Sequence, residues 1–310
     1  MSKLTMQAIR FHDYGGPQVL VLEPAPLPQP QADQVLLRVL AAGVNPADWK
    51  IRAGFFKEFM PLPLPWTPGL EAAGMVEAVG ADVTTLQPGQ AVYGLVNAAT
   101  AEYAVAPAVD LRPKPAQLTF DQAAAVPMGA LTAWQAVIED AQVQPGQRVL
   151  VHGAAGGVGL FAVQLARWKG AHVTGTASAG NLEFVRSLGA ETAIDYNAAP
   201  FETVVRDMDV VVDTVGGEIP ERSWQVLRPG GVLVTVAAQL PPEAGPAHGV
   251  RAMTSARASA DRLGQISELL ESKQITPVVG AVFPLAEARQ AHELSQTGHG
   301  RGRIVLHIAD

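Results

Sequence analysis

Val149-Leu150-Val151-His152-Gly153-Ala154-Ala155-Gly156-Gly157-Val158-Gly159 runs from an apolar strand into a glycine-rich turn. The turn opens a second apolar run, Leu160-Phe161-Ala162-Val163-Gln164-Leu165-Ala166, which reads as a helix. Each part suits the grip on a dinucleotide. Small residues let the backbone approach a pyrophosphate, and the helix N-terminus offers free N–H groups with a partial positive charge. Glycines alone carry little information, but glycines between a strand and a helix carry much more. The pattern here is Ala154-x-Gly156-x-x-Gly159, and alanine serves at the first small position when its φ is negative. The competing reading is a tight strand-to-helix turn that binds nothing.

The next strand, Ala171-His172-Val173-Thr174-Gly175-Thr176, is followed by Ala177-Ser178-Ala179-Gly180-Asn181. A site that selects NAD places an Asp or Glu here to hold the free ribose 2′-hydroxyl. This loop has hydroxyls and an amide but no acid, so it accommodates a 2′-phosphate without repelling it. NADP(H) is the expected cofactor.

At 310 residues the chain is long enough for two domains. Hydrophobic residues make up 48% and charged residues 16%, which supports sizeable cores. The net charge of −7 and the lack of a basic run argue against a nucleic-acid partner. No window approaches the roughly 18 apolar residues of a membrane span, and Met1-Ser2-Lys3-Leu4-Thr5-Met6-Gln7 lacks the apolar core of a secretory signal. There is no cysteine, which excludes disulfides and thiolate metal sites and fits the reducing cytoplasm.

The first third is rich in short strand candidates, at Val35–Ala41, Gly74–Val79 and Ala101–Val105, with Pro and Gly between them. Pro24-Ala25-Pro26-Leu27-Pro28-Gln29-Pro30 reads as an extended connector. From about Phe120 the pattern turns to helices alternating with buried strands. Asp121–Ile138 reads as helix with a break at Pro127. Strands are expected at Arg148–His152, His172–Thr176, Thr192–Asp195, Val210–Asp213 and Val232–Val236. Helices are expected near Leu160–Lys169, Leu182–Leu188, Ser223–Leu227 and Asp261–Ser272. Continuous Val/Leu runs alternating with helices indicate a parallel sheet covered on both faces. A final strand, Arg303–Ile308, is expected to return to the first domain.

An ordered series of motifs then carries a resemblance. It comprises Ala42-Gly43-Val44-Asn45-Pro46-Ala47-Asp48-Trp49-Lys50, Pro68-Gly69-Leu70-Glu71-Ala72-Ala73-Gly74, Gly129-Ala130-Leu131-Thr132-Ala133-Trp134, the glycine turn, Ser187-Leu188-Gly189-Ala190, Val212-Asp213-Thr214-Val215-Gly216-Gly217 and Arg301-Gly302-Arg303-Ile304-Val305-Leu306. Nearly the whole chain resembles the medium-chain dehydrogenase/reductase superfamily, in its zinc-free quinone oxidoreductase-like branch. The resemblance implies an α/β fold with a Rossmann nucleotide-binding domain inserted in a chaperonin-10 (GroES)-like β-barrel catalytic domain. The expected limits are 1–122 for the GroES-like part, 123–276 for the Rossmann domain and 277–310 for the return. It also implies a homodimer through the sheet edges of the nucleotide-binding domains.

Zinc-dependent members carry a Cys at the position of Asn45 and a His at that of Leu70. Glu71 remains, but one carboxylate cannot make a tetrahedral site that needs three protein ligands. The seven His residues show no ligand spacing, so no metal is expected. Without a Lewis acid, an unactivated carbonyl or an alcohol is a poor substrate. A quinone or α,β-unsaturated carbonyl is already electrophilic, so hydride transfer from NADPH to such a small molecule is the expected reaction. A selective alkenal or enone double-bond reductase is the nearest alternative. A non-enzymatic NADPH-binding sensor or structural protein is the other.

The resemblance places Asn45 at the nicotinamide riboside and Thr132 at the nicotinamide or phosphate end, both as cofactor contacts and as catalytic candidates. The plainer readings are Asn45 as a turn cap before Pro46 and Thr132 as a hydroxyl back-bonded in its helix. Asp48 and Lys50 are candidates for charge or proton transfer, against the plainer reading of a solvated helix face. Related reductases often have tyrosines at the positions of Lys50 and Phe56. Here Trp49, Phe55, Phe56 and Trp66 are the candidates for an aromatic wall. Ala155, Gly156, Gly157 and Val158 are expected at the pyrophosphate, and Thr176, Ser178, Asn181 and Tyr196 at the adenosine ribose. Val215 and Ala237 stand at strand ends where a cofactor crosses the sheet. Met253 is expected in a loop beside the nicotinamide. Arg301 and Arg303 are candidates for a phosphate, or else lie on a surface strand.

Overall fold

The computed structural model describes residues 5–256 and 259–310. The chain begins with the antiparallel pair β1 (Thr5–Arg10) and β2 (Val21–Pro26). The stretch read as a connector from Pro24 is therefore strand as far as Pro26. Both prolines lie on a two-stranded edge, where a missing N–H interrupts no interior ladder.

Next come β3 (Gln34–Val44), α1 (Pro46–Arg52), β4 (Glu71–Val79), β5 (Ala91–Leu95), β6 (Tyr103–Pro107) and β7 (Leu111–Pro113). β3 is buried along most of its length because β4, β6 and a late strand all pair with it. α1 starts where proline at its first turn supplies a helical φ and Asn45 with Asp48 forms a capping box. α2 (Phe120–Ala124) starts at another capping box, Thr119 with Gln122. It stops before Pro127, and that proline begins α3 (Pro127–Trp134), so the expected break separates two helices.

The second half alternates strand and helix. In order it contains β8 (Arg148–His152), α4 (Gly159–Trp168), β9 (His172–Ala177), α5 (Leu182–Ser187), β10 (Thr192–Asp195), β11 (Met208–Asp213), α6 (Ile219–Ser223) and β12 (Leu227–Thr235). α7 (Ala244–Ala247), β13 (Arg251–Thr254) and α8 (Leu263–Glu271) follow. The helix expected at Ser223–Leu227 begins earlier, at Ile219, and runs on as a 3-10 turn over Trp224–Val226, ending there because Leu227 already belongs to β12. These strands form an all-parallel sheet ordered β10-β9-β8-β11-β12-β13. Strand order reverses between β8 and β11, which opens a crevice beyond their C-terminal ends.

The return is larger than one strand. β14 (Val279–Pro284), α9 (Ala288–Gln296) and β15 (Arg303–His307) form a parallel crossover, and β15 pairs antiparallel with β3. The larger sheet thus reads β14-β15-β3-β4-β5-β7, with β6 on β3. One apolar core joins the two halves, since Ala73, Tyr93 and Leu95 pack in the same cluster as α3, α4 and β8. The cleft is therefore held between two sheets whose shared core fixes its walls.

Candidate active site

A cavity of about 920 Å³ runs from the loops after β9 and β10, across the glycine turn, to α1 and the segment between α9 and β15. At its centre the turn is shaped by close approach. Gly153 has φ +67°, and a Cβ there would lie 2.5 Å from Thr214 Oγ1 across the strand-order reversal. A Cβ on Gly157 would meet Arg303 Nη1 at 2.8 Å, and one on Gly129 of α3 would meet the Gly157 carbonyl oxygen at 2.5 Å. Glycine at these places leaves an open cradle beside a guanidinium. Ala154 is buried and is not among the residues with positive φ, so alanine fits the first small position. No side chain caps the N-terminus of α4; its Leu160 and Phe161 N–H groups donate to the Gly156 and Val158 carbonyls, so it is the turn residues Ala155–Val158 ahead of the helix that face the cavity.

Beneath the turn, His152 Nδ1 and Thr176 Oγ1 are 3.1 Å apart, and His152 Nε2 lies 3.3 Å from Ser223 Oγ. Burial pushes His152 down to about 4, so it is an uncharged structural group. Asp213, wholly buried, accepts from the Val215 N–H at 2.9 Å, the Gly216 N–H at 3.0 Å and Thr235 Oγ1 at 2.6 Å. These bonds fold the end of β11 so that Thr214 and Val215 enter the wall.

The end of the cavity beyond β9 and β10 carries Thr176, Ser178, Asn181 and Tyr196. Asn181 Nδ2 donates to Ser178 Oγ at 3.1 Å, and the Tyr196 ring is 48% exposed. This wall holds hydroxyls and an amide, with neither a carboxylate nor a cation.

The opposite end is a buried polar network. Asn45 Nδ2 donates to Glu71 Oε1 at 2.8 Å, and Arg303 Nη2 donates to Asn45 Oδ1 at 2.8 Å and also to Glu71 Oε1. The other Glu71 oxygen accepts from the Met128 N–H at 2.7 Å, which ties α3 to β4. Glu71 is fully buried and Arg303 is 3% exposed, so this is an interior ion pair with its hydrogen bonds supplied from three elements. Gly302 N–H donates to the Ala155 carbonyl at 2.8 Å, so the start of β15 is fastened to the glycine turn as well. Thr132 lies one turn beyond Met128 on the same face of α3, and both line the cavity. Lys50 Nζ sits 5.7 Å above the Trp49 ring at the cavity wall.

Of the residues singled out in the sequence, Asn45, Lys50, Thr132, Ala155, Gly156, Gly157, Val158, Thr176, Ser178, Asn181, Tyr196, Val215, Ala237 and Arg303 share this one wall. Asp48, Met253 and Arg301 do not, and of the aromatic candidates Trp49 and Phe56 line it while Phe55 and Trp66 do not. Asp48 is buried behind Asn45, accepting from the Asn45 N–H at 2.7 Å and the Gly69 N–H at 3.1 Å. Its burial raises it to about 7, but it positions α1 and does not face the cavity. Met253 is in the edge strand β13 and not in a loop, packed against the core. Arg301 points away, its guanidinium 5.5 Å over the Phe184 ring. Arg303 is no surface residue.

Sequence reasoning did not single out Met128, Gln296 or His299, which also line the cavity. It treated Glu71 only as a leftover carboxylate. An acid kept at a buried position with no metal partner needs a cation, and that requirement was the available signal for Arg303.

The donors here do not fit zinc. Both Glu71 oxygens are engaged, Leu70 offers no donor, and among the described residues no three of His, Cys, Asp and Glu gather as a metal site.

Residues 31–116 match the family described as "Alcohol dehydrogenase GroES-like domain", and residues 188–306 match "Zinc-binding dehydrogenase". The "Quinone oxidoreductase" of Mus musculus is 34% identical, covering 97% of this chain and 97% of its own. The "NADPH-dependent alkenal/one oxidoreductase, chloroplastic" of Arabidopsis thaliana is also 34% identical, covering 97% of this chain and 79% of its own. Among solved structures, the quinone oxidoreductase from Coxiella burnetii superposes with a TM-score of 0.90 at 34% identity, covering 98% and 99% of the two chains. A GroES-like half, a parallel Rossmann sheet and full-length relatives agree: the chain is an oxidoreductase that belongs to the medium-chain dehydrogenase/reductase superfamily, in its quinone oxidoreductase-like branch.

Proposed function

We propose that the protein transfers hydride from NADPH to a quinone or an α,β-unsaturated carbonyl compound, without a metal. The observation that carries this reading is the single cavity joining the glycine turn, an acid-free ribose end and a buried Asn45–Glu71–Arg303 network that has no zinc donor set. Gly156, Gly157 and Val158 hold the pyrophosphate, with the Arg303 guanidinium beside them. Ser178, Asn181 and Tyr196 take the ribose 2′-phosphate by hydrogen bonds alone. Asn45 and Thr132 orient the nicotinamide. When bound, NADPH supplies the hydride.

The acceptor must gain a proton as well as the hydride. Lys50 is the cationic side chain on the α1 side of the wall, and it donates a hydrogen bond or a proton to the developing oxyanion. The Trp49 and Phe56 rings give a flat acceptor an apolar face. The reading includes a homodimer through a free edge of the nucleotide-binding sheet, of which β13 is one, and a place in the cytoplasm. No helix among the described residues is long and apolar enough to cross a membrane.

The test is NADPH consumption with benzoquinone, an alkenal and a simple alcohol or aldehyde. The first two are expected to turn over and the last not. Tight NADPH binding with no oxidation by any acceptor would sink the enzyme reading. A higher rate with NADH than with NADPH would overturn the cofactor assignment.

A further inference from the structure

Two aromatic pairs lead out of the cavity at the α1 end. Trp49 lines the cavity, and its ring meets Phe55 edge-on at 5.7 Å and 89°. Phe56 lines it too, and its ring meets Phe59 at 5.6 Å and 58°. In each pair one ring belongs to the wall and the other to the outer surface. Phe55 is 65% exposed, Phe59 77% and Met60 41%, so three large apolar side chains crowd six consecutive residues. The other exposed large apolar residues described are single or paired along the chain, as at Val21 and Leu22, Val109 or Val204. Isolated exposed apolar residues are ordinary, whereas three within one short segment beside a cavity, even with exposed Lys57 and Glu58 between them, mark a place for a ligand.

The backbone holds these rings outward. Phe55 N–H donates to the Lys50 carbonyl at 3.0 Å, Met60 N–H to the Phe56 carbonyl at 2.8 Å, and Leu62 N–H to Tyr14 Oη at 2.9 Å. Gly54, with φ +84°, supplies the left-handed turn that starts the segment. The exposure is thus built into hydrogen-bonded turns.

Resting on the proposed reductase reading, we propose that Phe55, Phe59 and Met60 form an outer binding lip for an unbranched apolar tail on the acceptor. The electrophilic head would lie inside against Trp49, Lys50 and Phe56, and the tail would leave over the second ring of each pair. The physiological acceptor is then a tailed enone, alkenal or quinone and not a compact one. Continuity with the cavity wall selects a tail as the occupant over a second protein chain or a lipid surface.

The experiment is a series of straight-chain vinyl ketones from butenone to decenone, with kcat/KM measured by NADPH consumption. For the native chain kcat/KM is expected to rise by about twofold per added methylene once the tail reaches the lip, the gain from burying about half of each methylene. Phe59→Ser and Met60→Ser are expected to flatten the rise for the long members while butenone turnover stays within about twofold, since neither side chain lines the cavity. Butenone turnover with a flat series in the native chain overturns the tail site alone. Equal losses with short and long ketones overturn it as well. A flat series accompanied by self-association, or by binding to phosphatidylcholine vesicles, that Phe59→Ser abolishes assigns the patch to another occupant and overturns it. No turnover with butenone or benzoquinone fails the reductase reading itself, and this proposal with it.

Discussion

At the α1 end of the cavity Asn45, Glu71 and Arg303 hold one another as a buried network, with Glu71 also tied to α3 through the Met128 N–H and Asn45 to α1 through Asp48. At the ribose end Ser178 and Asn181 bond mainly to each other, and Tyr196 stands half in solvent. The first arrangement is over-determined, because β3–α1, β4, α3 and β15 must all be in place for its bonds to form. The second is a local turn after β9 that the rest of the molecule barely constrains. The contrast separates two tasks. On the proposed reading, the rigid end would set where a reacting group sits and the soft end which cofactor is preferred. A charge buried among fixed partners tolerates little change, whereas neutral groups at a surface can be exchanged at small cost.

Glu71→Ala tests the rigid end with the largest expected effect. It removes the counter-charge of the buried Arg303 guanidinium and the carboxylate that accepts from Asn45 Nδ2 and the Met128 N–H in the native chain. Stability measured by denaturant unfolding should fall by about 3–5 kcal/mol. A loss below about 1 kcal/mol would show that the network is not over-determined.

Acid should loosen the two ends unequally. His152, under the ribose end, is held at about 4 against 6.5 when free, so the unfolded chain binds a proton that the folded chain refuses. Its contribution is full above about pH 6.5 and is lost as pH falls toward 4. Asp48, behind the rigid end, is raised from 3.8 to about 7 and works in the opposite sense, its contribution fading as pH rises through that window. His152→Gln should therefore flatten the acid limb of the stability profile by about 2–3 kcal/mol, read from unfolding midpoints across the acid range. An unchanged acid limb would place the pH response elsewhere.

The point where the ends meet is the glycine turn. In Gly157→Ala the new methyl would lie 2.8 Å from Arg303 Nη1 and fill the cradle. NADPH affinity, measured by fluorescence titration, should drop by about tenfold or more. The smallest effect belongs to the soft end. Ser178→Ala should weaken NADPH by about threefold and leave NADH unchanged, since one neutral hydrogen bond is lost. Equal weakening of both cofactors would remove Ser178 from the 2′-phosphate.

The legible parts of this molecule were those written in short range. Val149–Gly159 announces strand, turn and helix because its pattern changes within eleven consecutive residues. Pro127 marks a helix start for the same reason, since its ring acts on its immediate neighbours. The network of Asn45, Glu71 and Arg303 was only half visible, because the Arg303–Glu71 bond joins residues 232 apart and no local pattern encodes it. Met253 was misplaced because β13 is only four residues long and gains its strand character from pairing with β12. The position of Asp48 depended on which face of α1 turns inward, and Asn45's capping role decided that.

The span between Asn45 and Arg303 also bears on how the chain is made. Asn45 and Glu71 leave the ribosome early, and Arg303 follows Asn45 by 258 residues. Throughout that interval the Glu71 carboxylate lacks its counter-charge, so β3 and β4 can pair while the inner end of the cleft stays unfinished. Domain-by-domain folding during synthesis is thereby prevented from completing the site prematurely. The arrival of β15, fastened to the glycine turn through Gly302, adds to the shared apolar core the last polar tie between the early half and the late one.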